Sequence, residues 1–172
     1  MKKIFTTVAL VLTCFISQAQ VDQDENSAVV GDQDFAIGGM AALPIGDPAD
    51  FADYGLGVEL MYLKSLFNGN LNLGGTVGYS HYVTDKDVNL DDAQFLPIAL
   101  TGLYPIGDLG FGAGLDVGYA IGINDGNNGG FLYEPKAYLE TSRFIFSLGY
   151  RGIVLENDTF DTIKLGFAVK LN

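Results

Sequence analysis

The sequence predicts an all-β protein, namely an eight-stranded antiparallel up-and-down transmembrane β-barrel. The first observation is residues 107–121, GDLGFGAGLDVGYAI, where from Leu109 onward apolar residues alternate with glycine, alanine and the single aspartate Asp116. Successive side chains of a strand point to opposite faces, so a two-residue period describes a strand with two unlike faces. The second observation is that this pattern recurs along the chain. The third is that long and short connections alternate between the repeats.

The two faces of these repeats favour a membrane barrel. A strand of about 9–11 residues tilted by about 45° crosses the hydrocarbon core of a bilayer, and residues 107–121 are long enough. The minority face is mostly Gly, Ala, Ser and Thr, which suits a crowded barrel interior better than a surface in water. A soluble exported lipocalin-like barrel, with its apolar face inward around an apolar ligand, is the alternative architecture.

The first four strands are predicted at residues 35–43, 54–64, 70–83 and 95–104. Each alternates between an apolar face and a face of small or polar residues. The positions predicted to face lipid are Phe35, Ile37, Ala41 and Leu43, then Leu56, Val58, Leu60 and Tyr62, then Leu71, Leu73, Val77 and Tyr79, then Leu96, Ile98, Leu100 and Tyr104.

The last four strands are predicted at residues 107–121, 131–140, 143–154 and 162–171. The sixth has the weakest pattern, because charged residues occupy much of one face. The connections after odd-numbered strands, 44–53, 84–94, 122–130 and 155–161, are longer than those after even-numbered strands. Long outer loops and short periplasmic turns are typical of outer-membrane barrels.

The start of the chain predicts export. Lys2 and Lys3 precede an apolar run over residues 4–16 and a small-x-small site that ends at Ala19. This is the pattern of a cleaved signal peptide, and the run is too short for a spanning helix. The predicted domains are a signal peptide at 1–19, an acidic flexible lead at 20–33 and the barrel at 34–172. The expected location is the outer membrane of a Gram-negative-type cell.

The charge balance is acidic and excludes one class of partner. The chain has 9 Lys and Arg against 21 Asp and Glu, a formal charge of −12. It therefore lacks the clustered basic residues of a nucleic-acid-binding surface. The expected partners are outer-membrane lipid or lipopolysaccharide and an unknown partner outside the cell, and the protein is expected to be a monomer without a cofactor.

Tyrosine and phenylalanine positions agree with the predicted strand directions. Rings at the two membrane interfaces are expected of such barrels, because an amphipathic ring suits a half-wet layer. The outer belt would contain Tyr54, Tyr79, Tyr119, Tyr133 and Tyr150, and the periplasmic belt Phe35, Tyr62, Tyr104, Phe111 and Phe144.

Eight charged residues are predicted to point into the barrel. They are Glu59, Asp116, Glu134, Glu140, Lys136, Arg151, Lys164 and Lys170, four of each sign. Unpaired charges in a narrow interior are costly, so we expect them to pair in a network that ties the wall together. Glu134, Arg151 and Lys164 should meet on neighbouring strands. Side chains about fill an eight-stranded barrel, so no permanent pore is expected.

One outer loop carries a candidate for weak cation or partner binding. Its carboxylates are Asp85, Asp87, Asp91 and Asp92. The first spacings are those of an EF-hand, but Leu90 replaces the required glycine and Leu96 the closing glutamate, so that motif fails. Weak divalent binding is one interpretation, and a solvated charged loop is the other. The sequence predicts no metal site of defined geometry.

His81 is the only histidine and allows a second functional hypothesis. Some small barrels act on lipid A in the outer leaflet. Enzymes of the lipid A deacylase type have a site near that leaflet that resembles a Ser-His-acid triad, with a His-x-Ser arrangement. Here position 83 is Val83, and the adjacent Ser80 should point to the opposite face from His81. An interfacial histidine in the aromatic belt is the simpler interpretation.

The exported start, eight strands and loop alternation resemble the small outer-membrane β-barrel family, typified by the OmpA membrane domain and OmpX. Leu43-Pro44-Ile45-Gly46-Asp47 after the first strand, echoed by residues 104–108 after the fourth, is also similar to such barrels. The resemblance implies fold and location, and a structural, adhesion or host-interaction role. One departure is that the family's final strand usually ends in an aromatic residue, whereas the last aromatic here is Phe167.

Overall fold

The structure is a computed structural model, and it describes residues 33–67, 69–84, 91–107 and 109–171. The predicted signal peptide, residues 20–32 of the predicted lead, and Asp85 and Asp87 lie outside the described residues. Within the described part of the chain, no helix is long and apolar enough to cross a membrane.

Eight antiparallel strands form one closed barrel, which confirms the predicted fold class. Consecutive strands are neighbours in the wall, and β1 closes the barrel by pairing with β8. The strands are β1 (Gln33–Pro44), β2 (Ala52–Leu66), β3 (Leu71–Thr84), β4 (Ala93–Pro105), β5 (Phe111–Gly122), β6 (Gly130–Glu140), β7 (Phe144–Val154) and β8 (Thr159–Lys170).

Two predicted boundaries are wrong. The fifth strand begins at Phe111 and not at residue 107, because Gly107 and Gly110 adopt φ of 67° and 78° in the turn after β4. The turn places glycines and apolar residues at alternate positions, so it imitates the strand pattern. The last connection is also short, since β8 begins at Thr159 and the N–H of Leu155 donates to the carbonyl of Asp158 at 2.8 Å.

The two faces of the wall have opposite polarity. Apolar side chains such as Val58, Leu100 and Leu165 point outward and are 59%, 76% and 59% exposed. The alternate positions are buried inside, and they include charged residues such as Glu134 and Arg151, which are 0% and 2% exposed. The aromatic residues predicted for the two belts all lie on the outward side of their strands or at their ends, by the alternation of each strand.

Glycines on the inner face allow the narrow wall to close. Gly118 on β5 lies between Ala99 of β4 and Leu132 of β6. A Cβ at this position would stand 2.5 Å from the Cα of Ala99 and would overlap the carbonyl oxygen of Ile98. The wall therefore has no room for a side chain at this position.

We predict that Gly118→Ala destabilises the barrel by about 1–3 kcal/mol, because overpacking forces neighbouring backbone apart. Gly39→Ala is the matched control, since Gly39 faces outward and the nearest atom to an added Cβ is a carbonyl oxygen 3.6 Å away. Urea unfolding of the refolded barrel in lipid measures both. Equal losses for the two variants would contradict the packing argument.

Candidate functional site: the interior charge cluster and the outer rim

The barrel interior has three layers. An apolar cluster near the long-connection end is built around Tyr82, Phe95 and Phe160. A second apolar cluster near the short-turn end includes Leu103 and Tyr138. The buried charges lie between these clusters along their strands, so apolar side chains separate them from both ends of the barrel.

Four charged side chains meet in the middle layer. Arg151 on β7 donates from Nε to Glu134 of β6 and from a terminal nitrogen to Glu59 of β2, each at 2.6 Å. Lys164 on β8 donates to both oxygens of Glu59 at 2.6 and 2.8 Å and lies 3.0 Å from Glu134 Oε1. Two carboxylates thus balance two cations. Because β2 stands across the barrel from β6 and β7, the cluster connects opposite parts of the wall.

The other four predicted interior charges form two smaller groups. Lys136 on β6 donates to Asp116 Oδ2 of β5 at 2.6 Å. Lys170 at the end of β8 forms ion pairs with Glu140 and, at 3.1 Å, with Asp34 of β1. The structure therefore divides the eight predicted residues into a central group of four and two pairs. Asp34 joins the second pair, that of Lys170 and Glu140.

Sequence reasoning did not single out three further members of the polar interior. Asp34 lies on the same inward face of β1 as Ala36, but it is next to the predicted boundary of the acidic lead. Thr76 of β3 and Thr101 of β4 are diagonal neighbours, opposite Ala99 and Gly74 respectively, and their hydroxyls are 2.7 Å apart. Strand parity would have placed all three inside; only the register shows that the two threonines touch.

The long connections carry the exposed acids. The described part of these connections, together with the adjoining strand ends, contains no lysine or arginine. A short 3₁₀ helix, Asp47–Asp50, adds two carboxylates after β1. The described acids at this end are Asp47, Asp50, Asp53, Asp91, Asp92, Asp125, Glu156, Asp158 and Asp161. Among described residues, no group of three or more His, Cys, Asp or Glu side chains could hold a metal ion.

His81 lies on the outward face of β3 and contacts Asp92. Its Nε2 is 2.8 Å from Asp92 Oδ2, and its Nδ1 is 3.2 Å from the hydroxyl of Tyr79, which donates to Gln94 Oε1 at 3.1 Å. Ser80 points into the barrel and is 1% exposed. The arrangement supplies an acid beside the histidine but brings no serine hydroxyl to the ring.

Asp92 also anchors the start of β4 to the end of β3. Its Oδ1 accepts the backbone N–H of Thr84 at 2.9 Å, and the Thr84 hydroxyl donates to the carbonyl of Asp91 at 3.2 Å. The Thr84 N–H and the His81 ring hold the pKa of the Asp92 carboxyl below its ordinary value of 3.8. Of the four loop carboxylates predicted for cation binding, that of Asp92 is thus part of a hydrogen-bonded junction, to which Asp91 contributes its backbone carbonyl.

We predict that Glu59→Gln destabilises the barrel by about 3–5 kcal/mol, because Arg151 and Lys164 then share one carboxylate in a buried layer. The exposed Glu156→Gln is the control and should change stability by less than about 0.5 kcal/mol. Combining Glu59→Gln with Lys164→Gln should cost less than the sum of the single losses in urea unfolding. Strict additivity would show that the two side chains are not coupled.

We predict that Asp92→Asn reduces the loss of barrel stability that occurs as the pH falls into the acidic range. The folded state lowers the pKa of Asp92, so the ionised carboxylate stabilises the fold above its ordinary value of 3.8, and this contribution is lost as the pH falls through the lowered value. Melting of the wild type, Asp92→Asn and the exposed control Asp125→Asn between about pH 7 and pH 2.5 tests this. Parallel wild-type and Asp92→Asn profiles would refute it.

Comparison with known proteins identifies the architecture. No protein-family model matches the chain, and no curated protein matches its sequence. The crystal structure of Ail, the attachment invasion locus protein of Yersinia pestis, superposes with a TM-score of 0.60 at 16% identity, covering 83% of this chain and 100% of Ail.

Two further Ail structures agree. Ail in phospholipid bilayer nanodiscs gives a TM-score of 0.59 at 13% identity, covering 82% and 99% of the two chains. Ail in complex with the heparin analogue sucrose octasulfate gives 0.51 at 16% identity, covering 83% and 100%. The chain therefore has the fold of the small eight-stranded outer-membrane β-barrels.

Proposed function

We propose that the protein is a non-enzymatic outer-membrane barrel with a packed, pore-less interior. Its acidic outer loops serve envelope structure or contact with a partner outside the cell. The observation that carries the proposal is the inverted polarity of the wall. Large apolar side chains cover the outside, and ion pairs fill the middle of the inside. Water solvates such a wall poorly, whereas lipid tails match it.

The packed interior supports a structural role over transport. Apolar layers stand on both sides of the central charges. An ion that crossed would have to pass both layers, where nothing replaces its hydration. The closed wall exposes no strand edge for pairing with another copy, which supports a monomer.

The acidic outer end supports a neutral or cationic partner. Ail was solved with a polysulfated sugar. In this chain the long connections carry carboxylates and, where described, no lysine or arginine, so they would repel such a polyanion. Contact with anionic lipopolysaccharide phosphates would then depend on bridging divalent cations, for which Asp91 and Asp92, with Asp85 and Asp87, are the proposed ligands.

Fractionation of the expressing cell tests location and fold together. We expect the protein in the outer membrane, with faster gel mobility before boiling than after, because a closed barrel resists detergent until it is heated. Recovery as a soluble protein without a heat shift would refute the proposal.

A pair of lysine substitutions separates a membrane barrel from a soluble one. Leu100→Lys, near the middle of β4, should cost about 2–4 kcal/mol in a bilayer, and Leu43→Lys, at the end of β1, only about 0–1 kcal/mol. Both side chains are well exposed, at 76% and 63%. A soluble barrel would tolerate the two changes equally, so equal unfolding free energies would contradict the membrane assignment.

A further inference from the structure

The exposed cations of the described chain gather at one end of the barrel. Lys64 lies near the end of β2, and Arg143 lies in the turn before β7; both are exposed. These positions belong to the short-turn end, opposite the acidic connections. The other described lysines and arginines point into the barrel and are Lys136, Arg151, Lys164 and Lys170.

Aromatic rings on the wall adjoin both cations. Tyr62 precedes Lys64 by two residues on the same face of β2, and its ring lies 4.9 Å from that of Phe35 on β1. Phe144 follows Arg143, and its ring stacks on Phe167 of β8 at 5.6 Å. Paired rings beside cations are typical of the layer where lipid tails meet headgroups.

The short turns at the same end expose apolar side chains. Phe67 between β2 and β3 is 74% exposed, and Ile106 and Leu109 between β4 and β5 are 57% and 80% exposed. Exposed apolar and basic residues on one surface fit a lipid headgroup layer, because apolar groups enter the acyl boundary while cations pair with phosphate. We name Lys64, Phe67, Ile106, Leu109 and Arg143 the inner rim.

We propose that the inner rim binds the phosphate groups of anionic phospholipids in the leaflet at the short-turn end. Lys64 stands on β2 and Arg143 lies just before β7. Because β8 and β1 lie between those two strands, the two cations are about 14 Å apart around the wall at the usual interstrand spacing. Each cation therefore contacts a different headgroup. The acidic opposite end repels the same lipids, so the two ends of the barrel expose charges of opposite sign. This inference rests on the proposed location in a bilayer.

Spin-labelled lipids in vesicles test the proposal with the full chain. The wild type, inserted in phosphatidylcholine, should associate with labelled phosphatidylglycerol in preference to labelled phosphatidylcholine at low salt. Lys64→Gln and Arg143→Gln should each reduce that preference by up to about fivefold, and the double variant should lose it. The preference should also fall as salt rises.

Asp50→Asn and Glu156→Gln are the matched controls, because they change charge at the opposite end and should not lower the preference. The gel heat shift of each sample reports insertion. An inserted, heat-shifted wild type without lipid preference, or a double variant that keeps it, overturns this inference alone. Failure of the wild type to insert overturns the proposed function.

Discussion

Closure of the wall by the pairing of β1 with β8 is the constraint on which the rest of the structure depends. A sheet with an open edge leaves backbone N–H and C=O groups unpaired, and lipid offers them no partner. Closure pairs the backbone groups of both edges, and it gives every strand one face inside the barrel and one face outside it. Whether a position is apolar or polar then follows from the face of the strand on which it lies, and this alternation produces the apolar outer wall and the polar interior.

Closure also limits what the interior can contain. With eight strands, side chains from opposite walls meet, so glycine or alanine is needed wherever a large residue enters from a neighbouring strand. Gly112, for example, lies opposite Tyr138, where a Cβ would overlap the tyrosine ring. Charges are tolerated in this space because they are paired. Glu59 is within 2.6 Å of both Arg151 and Lys164 and so connects strands that do not share backbone hydrogen bonds.

The face of the strand on which each residue lies, and the lengths of the connections, could be derived from the sequence alone. The alternation of Ile163, Leu165 and Phe167 with Lys164 and Gly166 depends only on the geometry of an extended backbone. For this reason strand number, antiparallel order, wall polarity and the identity of the eight inward charges were predictable. The turn at Gly107 and Gly110 misled the same reasoning, because a positive φ at glycine leaves no signature in a two-residue pattern.

Distances across the barrel were decided by the tertiary structure. Local sequence placed Glu134, Arg151 and Lys164 near one another, but only the stagger and closure of the wall bring Glu59 to them from β2. The same holds for Lys170, whose contact with Asp34 exists because the last strand returns to the first. Thus the sequence determined which side chains face inward, since that is a property of each strand, whereas their partners depend on register and closure, which are properties of the whole barrel.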